Sequence, residues 1–203
     1  MKRLTLRSGA VPLAELRRPL PKGRGIQNSQ LITHDPEFII PDSYRIGIGN
    51  DLHRLAPGRT LILGGVKVPF GRGPVGHSDA DALIHAICDA LLGAAALGDI
   101  GRHFPDTSPA WQNASSLVFL RQVRVLLRDA GYKIVNIDST LGLERPKLAP
   151  HIPAMVRKIA AALRLNPCQV SVKAKTGEGL GAIGRGEAVR ADAVALIKSA
   201  QLP

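Results

Sequence analysis

The stretch SDADALIHAICDALLGAAALG, residues 78–98, constrains the fold of this chain more than any other segment. It has helical periodicity, yet Ala82, Leu83, Ile84, Ala86, Ile87, Leu91 and Leu92 leave it little polar surface to show to water. A helix apolar on nearly every side belongs inside a core, so the chain must supply layers around it. With 203 residues, 45% of them hydrophobic, it has the material for one such domain, and whole-chain disorder is excluded. Against this apolar background Asp81, His85 and Asp89 recur every fourth residue and fall on one stripe. Buried ionisable groups need partners. Two readings follow: an Asp–His–Asp network at a packing interface, or a histidine ligand or base held by flanking carboxylates. Ser78 is the predicted N-cap, with Asp79 and Asp81 in the first turn and Gly93 or Gly98 near the end.

Elsewhere the patterns alternate between strand and helix. YRIGIG, from Tyr44, alternates as a half-buried strand does, and TLILGGVKV is a second extended region turning at Gly64-Gly65. Residues 114–130 form an amphipathic helix ended by Gly131, YKIVNIDSTLGL a strand, and residues 150–164 a helix with Pro150 and Pro153 in its first turn. QVSVKAK is another strand, and EAVRADAVALIKS fits helix or strand equally. This order predicts an α/β (α+β) sandwich over residues 44–200, a mixed β-sheet with helices packed on one face. Residues 1–43, with RRPLPKGRG and no lasting periodicity, read as a basic, disordered extension. The net charge of +11 is concentrated there, because Lys2, Arg3, Arg7, Arg17, Arg18, Lys22 and Arg24 face only Glu15 in the first 30 residues. Aromatics at 3% provide few stacking platforms, so the body suits small phosphorylated ligands and no nucleic-acid partner is expected. A basic RNA- or protein-binding module, motivated by the tail, is the non-enzymatic alternative. No apolar run approaches the roughly 20 residues of a membrane span, and no membrane partner is expected. Cys88 and Cys168 cannot build a disulfide framework. A cytoplasmic location is therefore expected, with a plastid as the alternative if the Arg-rich, acid-poor tail is a transit peptide.

Several clusters carry chemistry. Asp51-Leu52-His53 continues from a strand, and side chains two apart share a face, giving either a two-ligand bite for a divalent metal or a polar strand end. With His85 these residues would supply three nitrogen and oxygen ligands and leave a fourth position open, as catalytic zinc requires. His77-Ser78, at the predicted helix start, suits an anion. Gly98-Asp99-Ile100-Gly101, leading to Phe104-Pro105-Asp106-Thr107, and the run from Lys173 to Glu178 are glycine-bearing loops able to cradle phosphate, with Glu178 placed for a second, hard cation. There is no P-loop, no dinucleotide fingerprint directly after a strand and no evident Ser–His–Asp set.

Taken in order, DLH, GHSDADALIHAICDALLGAAALGDIGRHFPDT, ERPKLAPHI and VKAKTGEGLGAIGRGE resemble the 2-C-methyl-D-erythritol 2,4-cyclodiphosphate synthases of the non-mevalonate isoprenoid pathway, from about Tyr44 to Ser199. The resemblance implies a homotrimer with active sites at subunit interfaces. It implies that the 2-phosphate of 4-diphosphocytidyl-2-C-methyl-D-erythritol 2-phosphate attacks the β-phosphorus of its own diphosphate, closing a ring and expelling CMP. Zinc would be held by Asp51, His53 and His85, and magnesium or manganese would bridge the diphosphate beside Glu178. His77 and Thr176 fall where the family stabilises the transition state. Asp51, Leu52, His53, His77 and Ser78 match substrate-contacting positions, the last two on phosphate. Asp99, Ile100, Gly101, Phe104, Pro105, Asp106, Thr107 and Ser108 match segments gripping the sugar alcohol. Leu143, Glu144, Arg145, Pro146, Lys147, Leu148 and Ala149, with Lys175, Thr176, Gly177 and Glu178, match a cytidine and diphosphate cradle lent by the neighbouring subunit. Ala182 and Arg185 match ligand contacts near the trimer axis. The chain departs from the family at Asn50 and Ala182, where aromatics are usual, and at Lys175 and Gly177, in a loop often richer in threonine. The alternative enzyme is a zinc-dependent phosphoesterase acting on a nucleotide-linked substrate.

Overall fold

The alternation that begins at Tyr44 runs on through Asp51-Leu52-His53 as one long strand, β1 (Tyr44–Pro57). The structure, a computed structural model, describes residues 43–200, so the extension predicted for residues 1–43 lies outside the described residues apart from Ser43. After β1 come β2 (Leu61–Leu63), β3 (Val66–Val68), β4 (Arg72–Pro74), α1 (Ala82–Ala94), α2 (Ile100–His103) and α3 (Ser116–Asp129). The chain continues with β5 (Tyr132–Gly142), α4 (Ile152–Leu163), β6 (Val170–Lys175), α5 (Gly181–Gly184) and β7 (Ala188–Ser199). The sheet has the order β4-β1-β7-β5-β6; β5 and β6 run parallel and the other pairs antiparallel, so it is mixed. The segment that fitted helix or strand is strand β7, at the sheet's centre. β2 and β3 make a separate hairpin, which Gly64 (φ +57°) and Gly65 (φ +72°) close as a two-residue turn with both φ positive.

Helix α1 is the core element its composition demands, with ten of its residues buried. It lies on β1 and β7, where the inward positions are small: Gly47 and Gly49 on one strand, Ala191, Ala193 and Ala195 on the other. A Cβ on Gly49 would stand 2.1 Å from the Ala86 carbonyl oxygen, so the close approach of helix to strand requires glycine there. α3 and α4 extend the layer, burying Phe119, Leu120, Val123, Met155 and Ile159. On the opposite face of the sheet Tyr44, Ile46, Ile48, Leu52 and Val194 stand exposed, uncovered by any helix among the described residues, Ile46 and Ile48 each at 73%. Among the described residues no helix is long and apolar enough to cross a membrane, and Cys88 and Cys168 are free.

Local structure corrects the sequence reading in four places. α1 starts three residues later than predicted: Asp81, not Ser78, is its N-cap and accepts from the Ile84 N–H. Asp81 wins because its carboxylate also accepts from Gly64 N–H (2.9 Å) and Gly65 N–H (2.6 Å), fastening the hairpin turn to the helix start. Pro150 lies outside α4, which keeps only Pro153 in its first turn. Asp99 caps the short helix α2, accepting from the Arg102 N–H, where a loop was expected. Lys173 belongs to β6 and pairs with Asp138, so it is not part of the phosphate-type loop.

Candidate active site

Alternation along β1 turns Asp51 and His53 inward toward α1, and His85 meets them from the second turn of that helix. One carboxylate oxygen, Asp51 Oδ2, lies 2.9 Å from His53 Nε2 and 2.9 Å from His85 Nδ1, and those two nitrogens are 3.4 Å apart. The other nitrogen of each ring is spoken for. His53 Nδ1 donates to the Val75 carbonyl at 2.9 Å, and His85 Nε2 contacts Ser116 Oγ at 2.9 Å and Ser78 Oγ at 3.3 Å. Two ring lone pairs and a carboxylate thus converge. They are stable together only around added positive charge, either extra ring protons or a divalent metal. Although burial opposes both shifts, the paired imidazoles hold the Asp51 carboxyl far below its ordinary value, and Asp51 raises His53. The donor set, one carboxylate and two imidazoles with their ligand atoms all within 4.8 Å of one another, fits a divalent metal with an open position.

The Asp81–His85–Asp89 stripe does not act as a unit. Asp81 is fully buried in the hairpin contact, where desolvation pushes its carboxyl up to about 6 despite its backbone donors. Asp89 accepts from the Ile100 N–H at 2.7 Å and pins the start of α2; burial raises its pKa too. The network reading fails, since no Asp–His–Asp network forms; of the other reading His85 as a ligand-type residue stands, with Asp51 and His53, but Asp81 and Asp89 do not hold it. The anion site expected at the start of α1 is likewise filled by Asp81, while Ser78 accepts from the Ala80 N–H ahead of the helix.

The metal-type triad borders a cleft of about 420 Å³ lined by His53, Gly76, His77, Ser78, His85, Ile100, Gly101, Phe104, Pro105, Asp106, Trp111 and Phe119. The structure therefore brings together the strand exit, the HSD segment and the GDIG and FPD blocks. His77 Nε2 donates to the Ser108 carbonyl at 3.3 Å, closing that rim. Leu52 points to the bare face of the sheet, and Asp99, Thr107 and Ser108 do not line the cleft. Asp51, His85 and Ser116 stand in the order of a nucleophilic triad. Ser116 is fully buried, however, and its hydroxyl proton goes to Asp79, so it cannot attack a substrate.

A second cluster forms where β5 and β6 end. Leu143 N–H donates to the Lys175 carbonyl (2.9 Å), Gly177 N–H to Glu144 Oε2 (3.0 Å), and the Thr176 hydroxyl to Glu178. The loop from Leu143 to Ala149 is thereby stitched to the loop from Lys175 to Glu178, though Leu143 and Leu148 have buried side chains and can offer a ligand only backbone. Among the described residues none of these borders the cleft. Ala182 lines a separate hollow with Leu52, Arg54, Arg72 and Glu187 on the bare-face side, and Arg185 forms a two-bond pair with Glu187.

Five residues of this site escaped the sequence reading, the cleft-lining Gly76 among them. Trp111 and Phe119 pack with Phe104 into an aromatic wall (centroids 4.8–5.6 Å apart), and Ser116 with Asp79 backs His85. For the wall a signal existed: three of the chain's few aromatics fall within residues 104–119.

A model of the YgbB family matches residues 44–198. The chain is similar to the 2-C-methyl-D-erythritol 2,4-cyclodiphosphate synthase of Nitrosospira multiformis, 56% identical over 161 residues that cover 79% of this chain and 91% of that protein. Its fold is similar to the bifunctional IspDF of Campylobacter jejuni, with a TM-score of 0.75 and 39% identity over 78% of this chain and 43% of that one. It is also similar to a 2C-methyl-D-erythritol-2,4-cyclodiphosphate synthase with CDP bound, with a TM-score of 0.70 and 44% identity over 75% of this chain and 99% of that one. A match over residues 44–198, at this identity to the relatives, places the chain in the YgbB family, the family of the 2-C-methyl-D-erythritol 2,4-cyclodiphosphate synthases.

Proposed function

We propose that the chain converts 4-diphosphocytidyl-2-C-methyl-D-erythritol 2-phosphate to 2-C-methyl-D-erythritol 2,4-cyclodiphosphate and CMP, an isoprenoid-precursor step. The observation that carries the reading is the convergence of Asp51, His53 and His85 at one end of a cleft; Ser116, whose order with Asp51 and His85 suggests a protein nucleophile, is buried away from it. Attack by the substrate's own phosphate needs no protein nucleophile. It needs the two phosphate groups held in line, which turns much of the barrier into positioning, and positive charge where they meet. Zinc at the triad and magnesium or manganese beside Glu178 would supply that charge. His77 and Ser78, on the rim, hold the phosphate, and His77 is held in turn by its bond to the Ser108 carbonyl. Ile100, Gly101, Phe104, Pro105 and Asp106 enclose the sugar alcohol, and the Phe104–Trp111–Phe119 wall keeps water from the reacting atoms.

The remaining parts come from a neighbouring copy. The stitched loops bearing Glu144, Arg145, Lys147 and Lys175–Glu178 cradle the cytidine and diphosphate, with Thr176 at the transition state. Their absence from the cleft of their own chain supports this arrangement. The uncovered apolar row on β1 and β7 supports a homotrimer built on that face. Residues 44–200 constitute the catalytic domain, and the bacterial relatives favour the cytoplasm.

Incubation with the cytidyl substrate in isotopically labelled water tests the reading. The expected result is cyclic diphosphate and CMP in equal amounts, with no solvent oxygen in either; label in a phosphate product would establish the phosphoesterase instead.

A further inference from the structure

Ser116 opens α3 and is fully buried. Asp79 grips it at two points: Oδ2 accepts from the Ser116 N–H at 3.0 Å, and Oδ1 accepts from the Ser116 hydroxyl. A hydroxyl has one proton and an ionised carboxylate none, so the direction of the second bond is fixed. The Ser116 oxygen can then only accept from His85 Nε2, 2.9 Å away. That bond requires the ring proton to sit on Nε2, leaving the Nδ1 lone pair directed at Asp51 and His53. Three separate elements meet here: His85 from α1, Ser116 from α3, and Asp79 from the segment ahead of α1. That segment is itself tied to the start of α3 by the Asp79 N–H donating to the Ala114 carbonyl at 3.1 Å. Neither Ser116 nor Asp79 borders the cleft, so neither is placed to touch substrate.

We propose that Ser116 and Asp79 are positioning residues of the metal site, holding His85 in one orientation and one tautomer so that Nδ1 is presented as the ligand atom. The inference rests on the reading of Asp51, His53 and His85 as a metal triad. Ser78, the other contact of Nε2, is the weaker partner, because at 3.3 Å it is the longer bond and no carboxylate in contact fixes the direction of its hydroxyl proton as Asp79 fixes that of Ser116. Removing the Ser116 hydroxyl frees the ring to turn or to change tautomer. Losses of this kind typically weaken metal binding about 10–100-fold.

The test is a zinc titration of the purified full chain in competition with a chromophoric chelator, paired with thermal melts of the metal-free protein. Ser116→Ala and Asp79→Asn are expected to bind zinc about 10–100-fold more weakly than the starting protein. Ser115→Ala, one residue away with no side-chain capping bond, is expected to bind it equally well. Should Ser116→Ala fail to fold, Asp79→Asn carries the test, since its amide keeps the side chain's shape, and with its oxygen on the Ser116 N–H its NH2 donates to the Ser116 oxygen and turns the hydroxyl proton toward His85 Nε2. A lowered melting temperature with unchanged zinc affinity would overturn the proposal and leave the pair as a structural pin. Failure of the unsubstituted chain to bind zinc would instead remove the triad reading on which it rests.

Discussion

Substituting Gly49 by alanine tests the link between packing and chemistry, because this glycine lets α1 approach β1 closely enough for His85 to reach Asp51. A Cβ at position 49 would lie 2.1 Å from the Ala86 carbonyl oxygen and 2.6 Å from the Ala90 nitrogen, where real Cβ contacts essentially never fall under 3.0 Å. Both obstacles are helix backbone, so the helix must retreat by about 0.9 Å, the difference between 3.0 Å and 2.1 Å. Overpacking of this kind costs about 3 kcal/mol, the upper end of its usual range, and at this chain length that lowers the melting temperature by about 6–12 °C. His85 is carried on the same turn as Ala86, so the 2.9 Å contact with Asp51 opens as well. A displacement near 1 Å can reduce turnover about a hundredfold. Gly93→Ala is the control: its Cβ would find nothing nearer than the Ile48 oxygen at 3.9 Å, and helix propensity predicts a gain of up to about 1 kcal/mol. Circular-dichroism melts and zinc titrations of the two variants check the pair. A Gly49→Ala protein that melts and binds zinc like its parent would refute the packing argument.

His85→Ala should reduce bound zinc and bring turnover to background; zinc stoichiometry by elemental analysis checks it, and an unchanged value would contradict the ligand set. Asp81 titrates near 6 when folded, against 3.8 for an ordinary carboxyl, so the stabilisation from its proton is complete below 3.8 and lost as the pH rises through about 6. Asp81→Asn leaves a buried N–H without an acceptor and costs about 1–3 kcal/mol. Its deficit relative to the parent should be larger near pH 4 than near pH 7 in urea melts, and a deficit that grows with pH would show the sign to be wrong. Ile48→Glu puts a charge in the middle of the bare apolar row; sedimentation should show dissociation with loss of turnover, whereas zinc binding persists. An unchanged sedimentation profile would remove that face from the subunit interface.

The elements legible in the sequence were those whose own pattern decides them. α1 could only be a core helix, and the alternation in YRIGIG, continued through Asp51-Leu52-His53, put the aspartate and histidine on one face. β7 was ambiguous because its central inward positions, Ala191, Ala193 and Ala195, are good helix formers, and their small size answers to α1 lying above them, which only the tertiary fold supplies. The start of α1 was misplaced because Ser78, Asp79 and Asp81 all suit a cap. The hairpin amides of Gly64 and Gly65 decided among them, from outside the helix. Equal spacing of Asp81, His85 and Asp89 suggested one network, but a shared stripe does not give shared neighbours, and each residue meets a different element. The Ser116–Asp79 pair left no trace in the pattern: both are ordinary residue types, 37 positions apart.

The most direct measurement is anomalous diffraction from crystals soaked with zinc and CDP. One metal peak per chain should lie between Asp51 Oδ2, His53 Nε2 and His85 Nδ1, with the nucleotide's diphosphate beside it and the Lys175–Glu178 loop of another copy closing over the cytidine. A metal peak away from these three atoms, or CDP enclosed by loops of its own chain, would contradict the account.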